Sequence, residues 1–206
     1  MAVPSGGRAL TAIGLAVLVA VAAGGTRGSD DRPPERRYDG PRALWHIPDG
    51  ASLPASDPVR VEIPRLGVRA SVMEVGKNPD GTVEVPPLRR AELVGWYRHG
   101  PAPGSRGSAV LLGHYDDLRG PAAFHRLGGV RRGDVVLVPR RDRTVARFRV
   151  DATERVRKTG FPARRVYGSV RYAGLRLVTC GGAYDRRERS YRDNLIVHAH
   201  LVGVSP

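Results

Sequence analysis

Cysteine is the scarcest informative residue of this 206-residue sequence, with Cys180 as its single representative. No intrachain disulfide can therefore form, whatever the compartment. A lone thiol is either a small buried apolar side chain or a reactive group with a function. Lysine is almost as scarce, since only Lys77 and Lys158 occur and 32 of the 34 basic residues are arginine. With 41% hydrophobic residues, the chain can nevertheless build a packed core without cross-links.

Positive charge is abundant but is not concentrated in any one segment. The formal net charge is +14 and the isoelectric point is near 11.1. A clustered basic patch would indicate a nucleic-acid partner, but these arginines are scattered, so we expect no nucleic-acid binding. Two interpretations of the arginine excess stay open: GC-rich codon usage, or attraction to an anionic surface such as acidic lipids or a wall polymer.

Proline and glycine interrupt the chain throughout, which disfavours long helices. The 17 prolines and 26 glycines separate short apolar runs, a pattern typical of many short strands joined by turns. The strand-like runs are residues 59–63, 70–75, 82–85, 108–115, 134–139, 144–156, 175–181 and 194–202. Short helical turns are predicted at residues 89–93 and 121–127. We expect one all-β domain, either a barrel or a sandwich.

One long uncharged run, residues 9–25, follows the short basic segment 1–8. Its length fits either an uncleaved signal anchor or the core of a cleaved signal peptide, and both interpretations predict export. We expect a single-pass anchor helix with residues 1–8 in the cytoplasm and the rest extracytoplasmic. Residues 26–56 are rich in proline and arginine, as in a disordered linker, and residues 57–206 form the folded domain.

Cys180 ends an apolar run and is followed by Gly181 and Gly182. A strand end holds a thiol rigidly, while glycines allow close approach of a substrate backbone and leave N–H groups free to bind an oxyanion. The alternative interpretation is an inert buried cysteine. His114 ends a second apolar run, and Arg192 precedes the last one. From the residues alone, a solvated or structural side chain is the more common interpretation of both His114 and Arg192.

Two further groups of side chains invite a metal interpretation, and neither supports it. His198 and His200 share one face of the last strand, but no third ligand stands at a recognisable spacing. Asp116 and Asp117 beside His114 are too few for a calcium site and fit a solvated turn. We therefore expect neither a metal nor a cofactor.

The order of histidine, Thr-Cys at a strand end and arginine before the last strand resembles the sortase family, over most of residues 58–203. The local phrases that carry the resemblance are Val61-Glu62-Ile63-Pro64, Gly95-Trp96-Tyr97, Gly113-His114-Tyr115-Asp116, Leu177-Val178-Thr179-Cys180 and Tyr191-Arg192-Asp193-Asn194. Within the family the sequence is most similar to the actinobacterial class F, or class E, sortases. The resemblance makes residues 57–206 the catalytic domain and implies a closed eight-stranded β-barrel with short helical turns.

The resemblance also implies a function. Cys180 is the nucleophile, His114 the acid and base, and Arg192 the cation that steadies the oxyanion or positions the substrate. The expected partners are secreted proteins with a C-terminal LPxTG-like sorting signal and an amine of a peptidoglycan precursor. The enzyme cleaves the signal through a thioacyl intermediate and transfers the acyl group to that amine. Since free thiols titrate near pH 8.5 and imidazoles near 6.5, only a small thiolate fraction is expected at neutral pH.

Three other interpretations compete with this one. An L,D-transpeptidase would place its histidine and cysteine close together, whereas 66 positions separate His114 from Cys180. A thiol protease would differ only in that water resolves the thioester. A non-catalytic wall-binding module would bury Cys180 in an inert environment.

Overall fold

The computed structural model describes residues 45–46, 48 and 50–206, and this part of the chain is mostly β-structure. One short helix, α1, spans Ala163–Tyr167, and 3-10 turns occur at Pro64–Leu66, Leu88–Arg90, His125–Gly129 and Lys158–Gly160. The strands are β1 (Trp45–His46), β2 (Arg60–Ile63), β3 (Val68–Val75), β4 (Val94–Tyr97), β5 (Gly107–Gly113), β6 (Asp116–Asp117), β7 (Gly120–Pro121), β8 (Val135–Pro139), β9 (Val145–Arg157), β10 (Ala173–Asp185) and β11 (Ser190–Ser205).

Eight of these strands close into a barrel, which confirms the predicted fold class. Their order is β11-β10-β5-β4-β3-β2-β8-β9, and β9 pairs again with β11 to complete the circle. The pairs β3–β4 and β5–β10 are parallel, and the remaining pairs are antiparallel. Because β11 pairs along most of its length with both β9 and β10, no barrel edge stays open on either side of it.

The barrel interior holds the main core. Alternate residues of each strand point inward, as the two-residue repeat of a β-strand requires. The largest buried side chains of this core include Ile63, Leu111, Phe124, Leu127, Phe148, Leu175 and Leu177. Burial of such side chains is the main favourable contribution to folding, at about 25 cal/mol per Å² of apolar area.

A second apolar cluster lies on the outside of the barrel, over β5, β10 and β11. It contains Val110, Leu112, Val178 and Ile196, which are covered by Val166 of α1 and by other buried residues, namely Val75, Val83 and Tyr97. Residues buried on both faces of a strand give a continuous apolar run instead of an alternating one. This explains why the sequence of β5 is an unbroken hydrophobic segment. His114 and Cys180 follow β5 residues and β10 residues of the same outer face, so they lie next to this apolar cluster.

One strand prediction is wrong, and one strand was missed. Residues 82–85 do not form a strand; one isolated bridge joins Lys77 to Val83, and the apolar signal reflects burial of Val83 in the outer cluster. The strand β4 was not among the predicted runs. All four of its residues are buried, so this short segment shows no alternation that would distinguish it from a loop.

The predicted helical turn at residues 121–127 is also shifted. Gly120–Pro121 pairs with Asp116–Asp117 in a two-stranded hairpin, and the 3-10 turn begins only at His125. Gly120-Pro121 is typical of the start of a helical turn, but a proline is equally acceptable on the edge of a two-stranded ribbon. The helix α1 had no counterpart in the sequence analysis.

Residues on the N-terminal side of position 57 take part in the folded domain. Trp45 and His46 pair with Val204 and Gly203 of β11, and the Leu53 N–H donates to the Gly104 carbonyl at 2.7 Å. Across residues 45–46, 48 and 50–206, no helix is long and apolar enough to cross a membrane. The predicted anchor, residues 9–25, and most of the predicted linker lie outside the described residues.

Candidate active site

Strand register brings Cys180 and His114 together. In the parallel pair β5–β10 the last aligned residues are Leu112 and Val178. His114 and Cys180 each follow two positions later, so both continue the outer face of the barrel side by side. The two residues that the sequence analysis selected, 66 positions apart, line one cavity in the structure.

The cavity has a volume of about 270 Å³ and opens to solvent beside the β6–β7 hairpin. Its lining is largely apolar and aromatic. Within the described part of the chain, the large hydrophobic side chains that are exposed are Leu88, Leu118 and Tyr184, and all three line this cavity. A concave surface with exposed apolar groups next to a thiol fits an apolar segment of a substrate.

His114 is buried and held in one orientation. Its Nε2 lies 2.6 Å from the carbonyl oxygen of Pro86, which can only accept, so Nε2 carries a proton and donates it. Nδ1 is therefore the ring nitrogen left for proton transfer. The preceding Gly113 packs against the buried Phe124 ring, where a Cβ would lie 2.6 Å from a ring carbon. The glycine lets the chain pass close to the core just before the histidine.

The Cys180 thiol lies in a half-buried position on β10. Burial raises the pKa of this thiol, because a thiolate loses solvation there; the charge and hydrogen bonding of Lys158 act in the opposite direction, and the Asp116 carboxylate raises the pKa further. A thiolate forms only when nearby groups compensate for its desolvation.

Three tyrosines line one side of the cavity. The Tyr191 hydroxyl donates to an Asp116 carboxylate oxygen, and the Tyr191 ring packs edge-on against Tyr115 and Tyr184 at centroid distances of 5.2 Å. Burial and this carboxylate raise the pKa of Tyr191 well above its usual range. Asp117 pairs with Arg119 at 2.7 Å within the hairpin. The two aspartates stand in a surface hairpin whose turn residues, Leu118 and Arg119, are exposed, and both also line the cavity.

Arg192 does not line the cavity. It is on the same face of β11 as Asn194, but its Nε and Nη2 donate to the Asp185 carboxylate at 3.1 and 3.0 Å, and its side chain is 56% exposed. The structure thus places Arg192 near the site and engages it with Asp185. Its predicted contact with an oxyanion or a substrate stays a prediction.

Two residues beside Cys180 were not assigned a role from the sequence. Asn194 is directly opposite Cys180 in the β10–β11 pair, is fully buried, and its amide finds no hydrogen-bond partner among the residues described. Lys158 follows β9 and donates to the Ser190 hydroxyl at 2.6 Å. No local sequence signal identifies either one, because their proximity to Cys180 depends on the register of three strands.

The histidine pair of β11 binds carboxylates of β9. His198 Nε2 lies 3.3 Å from Glu154, and His200 Nδ1 lies 2.6 Å from Asp151. Burial and the neighbouring Arg176 lower the pKa of His198. Over residues 45–46, 48 and 50–206, no group of three or more His, Cys, Asp and Glu side chains could hold a metal ion.

Comparison with known proteins gives a consistent result. The family model for the sortase domain matches residues 61–202. Among solved structures, the SrtA sortase from Actinomyces oris is similar with a TM-score of 0.55 and 22% identity, covering 82% of this chain and 89% of that one. Sortase A from Listeria monocytogenes gives 0.53 and 18%, with coverages of 72% and 89%. No curated protein sequence matches the chain.

Proposed function

Because this chain belongs to the sortase family of cysteine transpeptidases, we propose that it cleaves an LPxTG-like sorting signal of secreted proteins and joins the acyl part to an amine of a cell wall precursor. The observation that carries the proposal is the shared cavity of Cys180 and His114 within the segment that the family model matches. The exposed apolar lining supports an apolar peptide as acyl donor.

The first half-reaction uses the thiolate of Cys180. It attacks the carbonyl carbon between the threonine and glycine of the signal, and the carbonyl oxygen takes up the negative charge. Backbone N–H groups around Gly181 and Gly182, together with Arg192 once it leaves Asp185, stabilise that oxyanion. His114 Nδ1, which takes the Cys180 thiol proton as the thiolate forms, gives that proton to the departing glycine amine, the C–N bond breaks, and a thioester to Cys180 remains.

The second half-reaction reverses the proton transfer. An incoming amine attacks the thioester carbon while His114 Nδ1 accepts a proton from the amine, and the Cys180 thiolate leaves as the new amide forms.

The location follows from the same proposal. Residues 9–25 anchor the protein in the cell membrane with a single pass, and the catalytic domain is extracytoplasmic. There it meets both exported proteins and wall precursors. The scattered arginines support this location, since they favour residence near anionic lipid and wall polymer.

The test incubates the purified full-length chain with an LPxTG-type peptide, with and without a short amine acceptor, and records intact-protein and product masses. We expect an acyl adduct on Cys180 that the amine converts into ligated peptide. Cys180→Ala should form no adduct, and His114→Gln should slow adduct formation by about a hundredfold or more.

Two outcomes would change the conclusion. Hydrolysis without ligation across a range of amines would identify a thiol protease. Absence of any adduct with a panel of sorting-signal variants, from folded protein whose thiol reacts with iodoacetamide, would reject the proposal.

A further inference from the structure

A hydrogen bond ties the hairpin that follows His114 to the strand β11. The hydroxyl of Tyr191, the second residue of β11, donates to the carboxylate of Asp116, the first residue of the β6–β7 hairpin. A hydrogen bond to a charged acceptor is stronger than one between neutral groups. This hydrogen bond, called the clasp below, joins two segments that are 75 positions apart in the sequence.

Aromatic contacts extend the clasp on both sides. The Tyr191 ring packs edge-on against Tyr115, which directly follows His114, at a centroid distance of 5.2 Å. It also packs edge-on against Tyr184, its partner in the β10–β11 pair, again at 5.2 Å. The side chain of Tyr191 therefore contacts both the segment that carries His114 and the strand that carries Cys180.

Strand pairing alone does not fix the distance between the two catalytic candidates. The parallel pairing of β5 with β10 ends at Leu112 and Val178, two positions before His114 and Cys180. His114 is held from another side, by the hydrogen bond from its Nε2 to the Pro86 carbonyl. Beyond the last paired residues, the clasp connects the two segments through β11.

The strand of Cys180 also needs a fixed point after its bulge. The β10–β11 register shifts between Gly181 and Tyr184, directly after Cys180, and pairing resumes with Tyr184 opposite Tyr191. A β-bulge leaves the hydrogen-bonded ladder locally disrupted. Because Tyr191 belongs to the first pair after the disruption, the clasp limits movement of the nucleophile relative to the hairpin.

The charge of Asp116 does not assist the nucleophile. Its carboxylate raises the pKa of the Cys180 thiol, because a nearby negative charge disfavours the thiolate. Asp116 therefore does not serve the site by activating the thiol. Its hydrogen bond with Tyr191 gives the carboxylate a different role, which is to hold the cavity wall together.

On the basis of the proposed function, we propose that Tyr191 and Asp116 are positioning residues, whose hydrogen bond holds the segment after His114 against β11 and keeps the imidazole within reach of the Cys180 thiol. The clasp acts through His114 and takes no part in making or breaking bonds. Proton transfer requires the two groups within hydrogen-bond reach, and a displacement of about 1 Å can lower a rate by about a hundredfold.

The test measures how strongly His114 controls the reactivity of Cys180, and it needs no peptide substrate. Full-length protein is alkylated with iodoacetamide at neutral pH, and the effect of His114→Gln is measured in the wild type, in Tyr191→Phe and in Asp116→Ala. In the wild type, His114→Gln should slow alkylation by about tenfold, since the imidazole accepts the thiol proton. In either clasp variant the same change should slow it by about threefold or less.

Tyr172→Phe is the matched control. The Tyr172 hydroxyl accepts a hydrogen bond from Arg176 at 3.3 Å, but Tyr172 lies eight positions before Cys180 and does not line the cavity of the thiol. In the Tyr172→Phe background, His114→Gln should keep its full effect. Comparison of ratios also removes the direct influence of the Asp116 charge on the thiol. Circular dichroism checks folding, and the two clasp variants remove opposite ends of one hydrogen bond, so misfolding of one leaves the test intact.

Peptide cleavage gives a second readout. Tyr191→Phe and Asp116→Ala should each lower kcat by about tenfold and leave KM within about twofold. The double variant should lose no more than either single variant, because all three lack the same hydrogen bond. A raised KM at unchanged kcat would show that the two side chains bind the substrate, and it would overturn the inference.

The two proposals fail separately. If wild-type protein forms the acyl adduct but the clasp variants keep the full effect of His114→Gln on alkylation, the clasp has no positioning role and the transpeptidase stands. The same conclusion follows if His114→Gln does not slow alkylation in the wild type, because no coupling then exists for the clasp to maintain. If the clasp variants weaken the coupling but no sorting-signal peptide forms an adduct, the positioning role stands and the proposed function fails.

Discussion

The Asp185 carboxylate determines whether the Arg192 guanidinium is available to a substrate. Its carboxylate also accepts from the backbone N–H groups of Arg187 and Glu188, at 3.0 and 3.3 Å. Asp185 therefore stays hydrogen-bonded when Arg192 moves away. Since the Arg192 side chain is more than half exposed, the pair is a weak surface interaction that a substrate can displace.

Because Asp185 and a substrate compete for the Arg192 guanidinium, we expect that lysine cannot replace this arginine. If Arg192 binds the substrate or the oxyanion with its planar fork, Arg192→Lys should lower kcat/KM by about tenfold or more, although the charge is kept. Arg189→Lys, in the same basic turn, is the control and should stay within about twofold. Equal losses for both variants would show that net charge matters and that Arg192 has no specific role. Peptide cleavage followed by mass spectrometry gives both values.

Among the structural elements, the turn that follows Cys180 depends on one glycine. Gly182 has a φ of +77°, and a Cβ there would lie 2.2 Å from an Asp193 carboxylate oxygen. The β10–β11 register shifts between Gly181 and Tyr184, so this glycine forms part of a β-bulge beside the nucleophile. Gly181 differs, because a Cβ at that position would meet Leu195 at an ordinary 3.7 Å.

The two glycines should therefore respond differently to substitution. Gly182→Ala should lower the free energy of unfolding by about 1–2 kcal/mol, from the positive φ alone, and should reduce peptide cleavage by displacing Asp193. Gly181→Ala should change stability by less than about 0.5 kcal/mol. Thermal unfolding and cleavage rates of the two variants test this pair of expectations. Similar stability for both would contradict the role assigned to the bulge.

The sequence predicts long elements better than it predicts their pairing. The runs at residues 108–115, 175–181 and 194–202 coincide with strands because each combines length with apolar, β-branched residues. The four-residue strand β4 was not predicted, because all of its residues are buried and its sequence therefore shows no alternation of apolar and polar residues. The pairing of His114 with Cys180 came from the family resemblance, since parallel register between distant strands leaves no local signal. Lys158 and the contact between Arg192 and Asp185 depend on tertiary neighbours and could not be predicted.

At the scale of the whole molecule, the N-terminal strand β1 and the candidate active site lie at opposite ends of β11. Residues 45 and 46 pair with β11 at Val204 and Gly203, whereas Cys180 aligns with Asn194. Nine or ten residues of strand separate these positions, which corresponds to about 30 Å. A membrane anchor before residue 45 would therefore attach to the end of the barrel opposite the cavity.

An experiment can distinguish membrane anchoring by residues 9–25 from electrostatic attraction of the basic protein to the membrane surface. We expect the full-length protein to stay with membranes through a high-salt wash and to be released by detergent, because residues 9–25 insert into the hydrocarbon layer. A chain lacking residues 1–25 should appear in the soluble fraction and retain peptide cleavage. Release of the full-length protein by salt alone would instead attribute its binding to the net charge of +14. Immunoblots of the fractions distinguish these cases.

The central position of β11 has a consequence for folding. This strand follows the other ten strands of the described residues in sequence, and it pairs with β1, β9 and β10. The barrel cannot close until this 16-residue strand has been synthesised. Contacts between such distant parts of a sequence slow folding, because a large loop entropy is lost before they form. Until β11 has been synthesised, the edges of β9 and β10 that pair with it therefore stay unpaired.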